Sequence, residues 1–244
     1  MVLRNIRKQS GWILYHGPSQ LDGSPIVVVL TTSSANRKTG NMAQTWILRA
    51  DRDPVSAVQT KADGSICGQC PHRGLNGAVR TCYVNVGQAP LAVFRAWQRG
   101  SYSGFAPLPK LHGVRLGSYG DPAAVPVSIW TNLLQVTKPV KQTGYTHQWH
   151  RPEFAAFRSL CMASVDTNAE RMRAQSTGWR TFRVGAGISS GEISCPASEE
   201  AGQRTTCDRC GLCNGAADAD RRRSITIEPH GSAKRFITLR HVAA

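Results

Sequence analysis

The chain has 244 residues, 41% of them hydrophobic, with 30 Lys plus Arg against 15 Asp plus Glu and a net charge of +15. That length can bury a continuous core, so disulfide staples are not needed for stability, and the basic balance favours a polyanionic partner, DNA or RNA, over an acidic or membrane-spanning class. The longest aliphatic run, residues 26–30, is far short of the roughly 20 apolar residues that cross a bilayer.

In chain order, residues 1–10 are polar and basic, with Arg4, Arg7 and Lys8, and no apolar segment follows. This opening does not read as a secretory signal, and the expectation is a soluble, cytoplasmic protein with reduced thiols. Residues 26–32 form a β-branched run that reads as a buried strand, followed by turn formers at 33–40 and a second strand from Met42, the two making a long-looped hairpin. Lys38 and Thr39 in this loop lack the leading glycine of a phosphate loop; a basic hairpin tip touching a phosphate backbone is the reading there. Residues 91–99 carry apolar positions at helical spacing.

Beyond residue 114 a short strand, a polar turn and a helical stretch recur. Strands are expected at 114–117, 144–147, 161–165, 181–184 and 224–227, and helices at 126–134, 152–159 and 167–175, the last with Thr167 as N-cap and Glu170 at its third position. This alternation predicts an α/β fold with a parallel, barrel-like core of partial or full TIM type, an N-terminal β-hairpin and cysteine-rich metal loops. We divide the single domain into a hairpin region (1–60), an α/β core with the first cysteine group (61–194), a cysteine-rich loop (195–217) and closing strands (218–244). Parallel barrels place reactive groups at the C-terminal ends of strands, which selects Ser118, Tyr119 and Asp121, His147, and Ser164 and Asp166. Ordinary turn and capping chemistry would use the same residue types. Tyr145, His147, Trp149 and His150 form an aromatic and imidazole cluster suited either to stacking a base or to core packing, and Arg221, Arg222 and Arg223 form a short basic run suited to phosphates if exposed.

The cysteine spacing is the strongest signal. Cys207, Cys210 and Cys213 form C-x2-C-x2-C, with Cys195 upstream as a fourth thiolate and Gly211 and Gly215 allowing a tight loop. Such runs ligate a 4Fe-4S cluster, and four thiolates also suit tetrahedral zinc. Cys67, Cys70 and Cys82 supply three thiolates, for which His72, Cys161 or an exogenous ligand could be the fourth. Cys161 itself, in an apolar strand, reads as a small buried hydrophobe.

The order GNMAQTWIL, CGQCPHRG with TCY, RLGSYGDPAAVP, GYTHQW, LCMASVD, GWRTFRV and CPASEE with TCDRCGLC resembles a family of cysteine-rich proteins of tailed bacteriophages, over residues 36–215. A cysteine triad followed by an α/β repeat also resembles, more distantly, the radical S-adenosylmethionine enzymes, which use a parallel barrel with a cluster near the first strand. Their usual spacing is C-x3-C-x2-C, whereas this chain has C-x2-C-x11-C. The resemblance implies one or two iron-sulfur clusters, S-adenosylmethionine as a cofactor held near Gly117, Tyr119 and Gly120, and redox or radical chemistry on a nucleotide or nucleic acid in the infected host's cytoplasm. The alternative is a non-enzymatic nucleic-acid-binding protein with structural iron-sulfur or zinc centres.

Overall fold

The computed structural model describes residues 11–32, 34–104, 107–229 and 236–237; the basic opening segment and the part of the expected closing region beyond residue 229, those two positions apart, lie outside them. Strands β1 (Gly11–Pro18), β2 (Pro25–Thr31) and β3 (Ala43–Arg49) form an antiparallel meander, in which Ile26 faces Arg49 and Thr31 faces Gln44. β2 is buried along six of its seven residues, as its unbroken aliphatic run requires of a strand covered on both faces. After β3 come the short helices α1 (Pro54–Gln59) and α2 (Gly64–Cys67), then α3 (Ala89–Gln98). Next are β4 (Gly113–Tyr119), α4 (Val127–Thr137), β5 (Lys141–Thr146), a 3-10 helix (Pro152–Ser159), β6 (Met162–Val165), α5 (Asn168–Ser176) and β7 (Thr181–Val184). The last described elements with strand or helix bounds are β8 (Glu192–Ser194), α6 (Cys207–Cys210) and β9 (Ser224–Ile227).

All these strands join one nine-stranded sheet in the order β1-β2-β3-β4-β5-β6-β7-β9-β8, parallel from β3 onward. The hairpin and the mostly parallel α/β core are therefore as expected. Among the described residues the pairing runs from β1 at one edge to β8 at the other, and no pairing joins those two edges into a full barrel.

Local chemistry explains the elements. Asp53 caps α1 by accepting from the backbone N–H groups of Val55 (2.9 Å) and Ser56 (3.1 Å). The N-terminus of α5 is the expected capping box: Thr167 Oγ1 accepts from Glu170 N at 3.1 Å, and Glu170 Oε2 accepts from Thr167 N at 3.1 Å. Pro152–Ser159 winds as a 3-10 helix rather than the expected α-helix. Its buried Phe154 and Phe157 are three apart, the spacing that a 3-10 turn stacks on one side, and their rings lie 6.1 Å apart.

The main core runs through β1 to β6 and the helices packed on them; Trp130, Leu116, Ile47 and Leu30 are fully buried there. Cys161 belongs to this core with no exposure. A smaller apolar cluster gathers Met162, Ile225 and Ile227 with Cys195 and Cys213. No helix among the described residues is long and apolar enough to cross a membrane.

Candidate metal centres and the cavity between them

The first cysteine group is shaped by one ion pair and one carbonyl. Arg73 Nη2 binds Asp63 Oδ1 at 2.7 Å with both side chains nearly buried, and it also donates to the carbonyls of Lys61 (2.6 Å) and, through Nη1, Gly68 (3.2 Å). This staple fixes the turn that carries Cys67 and Cys70. The carbonyl of His72 then accepts from both Thr81 N and Cys82 N at 2.9 Å, returning the long spacer so that Cys82 lies beside Cys70. Burial pushes the thiols of Cys67 and Cys70 well above the ordinary range; Cys67 is raised further by Cys70 and Cys82, and Cys70 by Cys82. A cationic centre at their focus would reverse both effects.

The second group is held from three directions. Cys195 N donates to Thr226 O at 2.8 Å, Cys207 N to Lys38 O at 2.8 Å, and Gly144 N to Cys213 O at 3.2 Å. Arg180, only 4% exposed, donates to the carbonyls of Leu212 (2.8 Å), Asn214 (3.1 Å) and Arg223 (2.8 Å), tying the loop to β7 and β9. At Gly215 a Cβ would stand 2.2 Å from the Ser159 backbone, so only glycine lets the loop pass there. All four thiols line one small cavity with Thr143, Tyr145 and Ile225. Burial and the other three thiols push Cys213 up to about 12, against the lowering effect of Tyr145. Burial also raises Cys207, opposed by Arg115 and Lys38.

The first group, with Cys207 of the second, borders a larger cavity of about 200 Å³ at the C-terminal ends of the parallel strands. Cys67, Cys70 and Cys82 lie on its wall together with Cys207. Strands β4, β5, β7 and β9 contribute Arg115 and Tyr119, Tyr145, Phe182 and Val184, and Ile227. Tyr145 and Phe182 pack with ring centroids 4.6 Å apart, and Tyr145, Cys207 and Lys38 line both cavities.

The strand-end residues selected from the sequence converge here. Gly117, Ser118, Tyr119, Gly120, Asp121, His147 and Ser164 all line the large cavity. Their bonding assigns some of them to scaffolding. Ser118 Oγ donates to Gln44 Oε1 at 2.6 Å. Asp121 accepts from Ala123 N at 3.0 Å and from His147 N at 2.8 Å, so it fixes the end of β5; burial pushes its carboxyl up. Gly120 has φ +86°, and a Cβ there would stand 2.7 Å from Ile47 Cβ, which accounts for glycine without a ligand. Asp166 is not on the cavity wall; it binds His72 Nε2 at 2.9 Å from behind. Burial pushes His147 down to about 4, and its Nε2 lies 3.8 Å from Cys70 Sγ.

Other expectations resolve differently. Cys161 lies outside both cavities, packed under Gly144, where a Cβ would stand 2.7 Å from its sulfur. It behaves as the small hydrophobe and does not complete the first group. Lys38 sits against the second cysteine group instead of at a free hairpin tip. Trp149 is 9% exposed and donates to Ser164 O at 3.1 Å, so it packs in the core. Arg222 is engaged with Asp220 and Arg223 with the Glu192 carbonyl, so the basic run is partly internal bracing. Sequence reasoning missed Arg115, Arg80 and Tyr83 on the cavity wall; only Arg115 carried a signal, as a charge inside an otherwise small and apolar strand.

Among the described residues, the set of three His, Cys, Asp or Glu ligand atoms lying within 4.8 Å of one another comes from His72, His147 and Asp166; neither cysteine group is drawn that close. Comparison with family models, with curated proteins and with solved structures gives no match, so the resemblances described above rest on the quoted residues alone.

Proposed function

We propose that the chain is an iron-sulfur protein with a redox function, in which Cys195, Cys207, Cys210 and Cys213 hold one 4Fe-4S cluster. Cys67, Cys70 and Cys82 would hold a second centre with a non-cysteine position turned to the cavity. The observation that carries this reading is that Cys67, Cys70 and Cys82 share the wall of the large cavity with Cys207, which also lines the smaller cavity with Cys195, Cys210 and Cys213. The C-x2-C-x2-C run of Cys207, Cys210 and Cys213 favours iron-sulfur over zinc, because such runs ligate cubane clusters.

Bound clusters supply single electrons. The protein's own residues shape where a substrate lies: Tyr145, Phe182, Val184 and Ile227 give an apolar wall, and Arg115, Arg80 and Lys38 give positive charge. This suits a nucleotide, with its base on the apolar side and its phosphate toward the arginines. The turn at Gly117, Tyr119 and Gly120 is where S-adenosylmethionine would lie, and lining by five strands, β4 to β7 and β9, supports a partial barrel. Ser118, Asp121 and His147 border the same space, with Asp166 behind His72. The reduced thiols this requires fit a cytoplasmic setting, in a phage-infected host if the first resemblance holds.

The test is optical and magnetic. Anaerobically purified protein should be brown with broad visible absorption, and should develop a low-temperature paramagnetic signal on reduction. Colourless protein carrying stoichiometric zinc would refute the reading. The net charge of +15 favours a second reading, a nucleic-acid-binding protein whose metal centres are structural. Under it, affinity for DNA or RNA falls steeply with salt while reductant and S-adenosylmethionine produce no turnover.

A further inference from the structure

We infer that His72, His147 and Asp166 form a mononuclear site for a divalent first-row transition metal, distinct from the cysteine centres, with its open positions facing the large cavity. The three donors come from three elements that meet only in the fold: the 3-10 turn after Cys70 (Pro71–Arg73), the segment after β5, and the segment after β6. Their ligand atoms lie within 4.8 Å of one another. His72 Nε2 and Asp166 Oδ1 are 2.9 Å apart. Two ligands at about 2.1 Å and at right angles on one octahedral ion are separated by about 3.0 Å, a spacing this hydrogen-bonded pair already matches.

The His72 imidazole is oriented from behind, as metal-binding histidines generally are, and the His147 backbone is anchored beside it. His72 Nδ1 pairs with Thr81 Oγ1 at 2.9 Å, which leaves Nε2 for Asp166 and the ion. His147 is fixed through its backbone N–H by Asp121 at 2.8 Å. The side chains of His72 and Asp166 are only 12% and 14% exposed, and the His72 and His147 rings meet edge to face at 5.9 Å. An ion pair bracing the loop would account for His72 and Asp166 alone, whereas His147 brings a third ligand atom within 4.8 Å of both. Two histidines and one carboxylate with vacant positions are the donor set of non-haem ferrous and hydrolytic zinc sites. Both histidines line the cavity, so a water or a substrate oxygen can complete the sphere from that side. Cys70 Sγ lies 3.8 Å from His147 Nε2, so one sulfur neighbour is compatible with the site.

This inference does not depend on the cluster reading, and the experiment separates them. The anaerobically purified full-length chain is dialysed against dilute zinc, then zinc, iron and sulfide are counted per chain and the zinc K-edge absorption fine structure is recorded. The expected result is about one zinc per chain in a nitrogen and oxygen environment with no more than one sulfur. Asp166→Asn keeps an acceptor for His72 while removing the charge, so it tests the site without unfolding the loop. It should weaken zinc binding at least tenfold, as should His147→Ala, with iron and sulfide unchanged. A zinc environment of three or more sulfurs, or zinc binding unaltered in Asp166→Asn, would overturn the inference. Zinc bound as expected in a protein without iron would leave this site standing and remove the clusters.

Discussion

Glu192 has no exposure, yet it is a carboxylate, and it is tolerated because Arg183 Nη2 binds it at 2.7 Å while Ser189 N donates to it at 2.9 Å. Removing one partner of a buried pair strands the other charge. Glu192→Ala should therefore lower the unfolding free energy by about 3–5 kcal/mol, measured by denaturant titration; a loss under about 1 kcal/mol would mean that water reaches Arg183. A second residue-scale effect is tied to acid. Arg49 holds the Asp51 carboxyl down to about 2, with burial opposing and Arg52 assisting. A depressed carboxylate contributes stability that is complete above its unfolded value, about 3.9, and lost as pH falls through the folded one. Between pH 4 and pH 2 the wild type should lose stability more steeply than Asp51→Asn; parallel curves would show that the pair contributes nothing. Solvent screening at this partly exposed pair keeps the difference small.

At the scale of elements, the capping box of α5 does two jobs. Glu170 Oε2 also accepts from Asp166 N at 2.9 Å, so the cap that starts the helix positions the carboxylate facing His72. Thr167→Ala should cost about 1 kcal/mol of stability in thermal or chemical unfolding, while Thr167→Ser should restore most of it; equal stability of both variants would show that the cap is dispensable. This helix was legible because capping is local: the signal lies within four residues. β7 and β9 were legible for the same reason, each being a short β-branched or aromatic run with the bounds expected. β1 was not, because a register shift between Ile13 and Tyr15 breaks its alternation and its pairing is set by β2. β8 was not either. Its three residues are held by the Arg183 pair and by β9, partners that no local pattern announces. The helix expected at 152–159 had the right bounds and the wrong winding, since two aromatics three apart suit either helix until packing chooses.

Across the whole molecule, the parallel sheet does what its topology permits. Strand ends from separate parts of the chain are brought to one side, and loops too long to interpret singly are brought together there. The strand-end residues were readable as a class, yet their roles were not, because the distinction between Asp121 as a backbone clamp and His147 as a wall residue depends on partners far away in sequence. The two cysteine groups were likewise readable by spacing, while their arrangement around two neighbouring cavities that share Cys207 was a property of the fold alone. That arrangement predicts two centres that load independently. The most direct test counts iron and sulfide per chain in the anaerobic wild type, in Cys70→Ala, in Cys210→Ala and in the double variant. The account predicts about eight irons for the wild type, about four for each single variant and none for the double, at about four irons per cubane cluster. Protein without iron, or loss of all iron from either single variant, would contradict it.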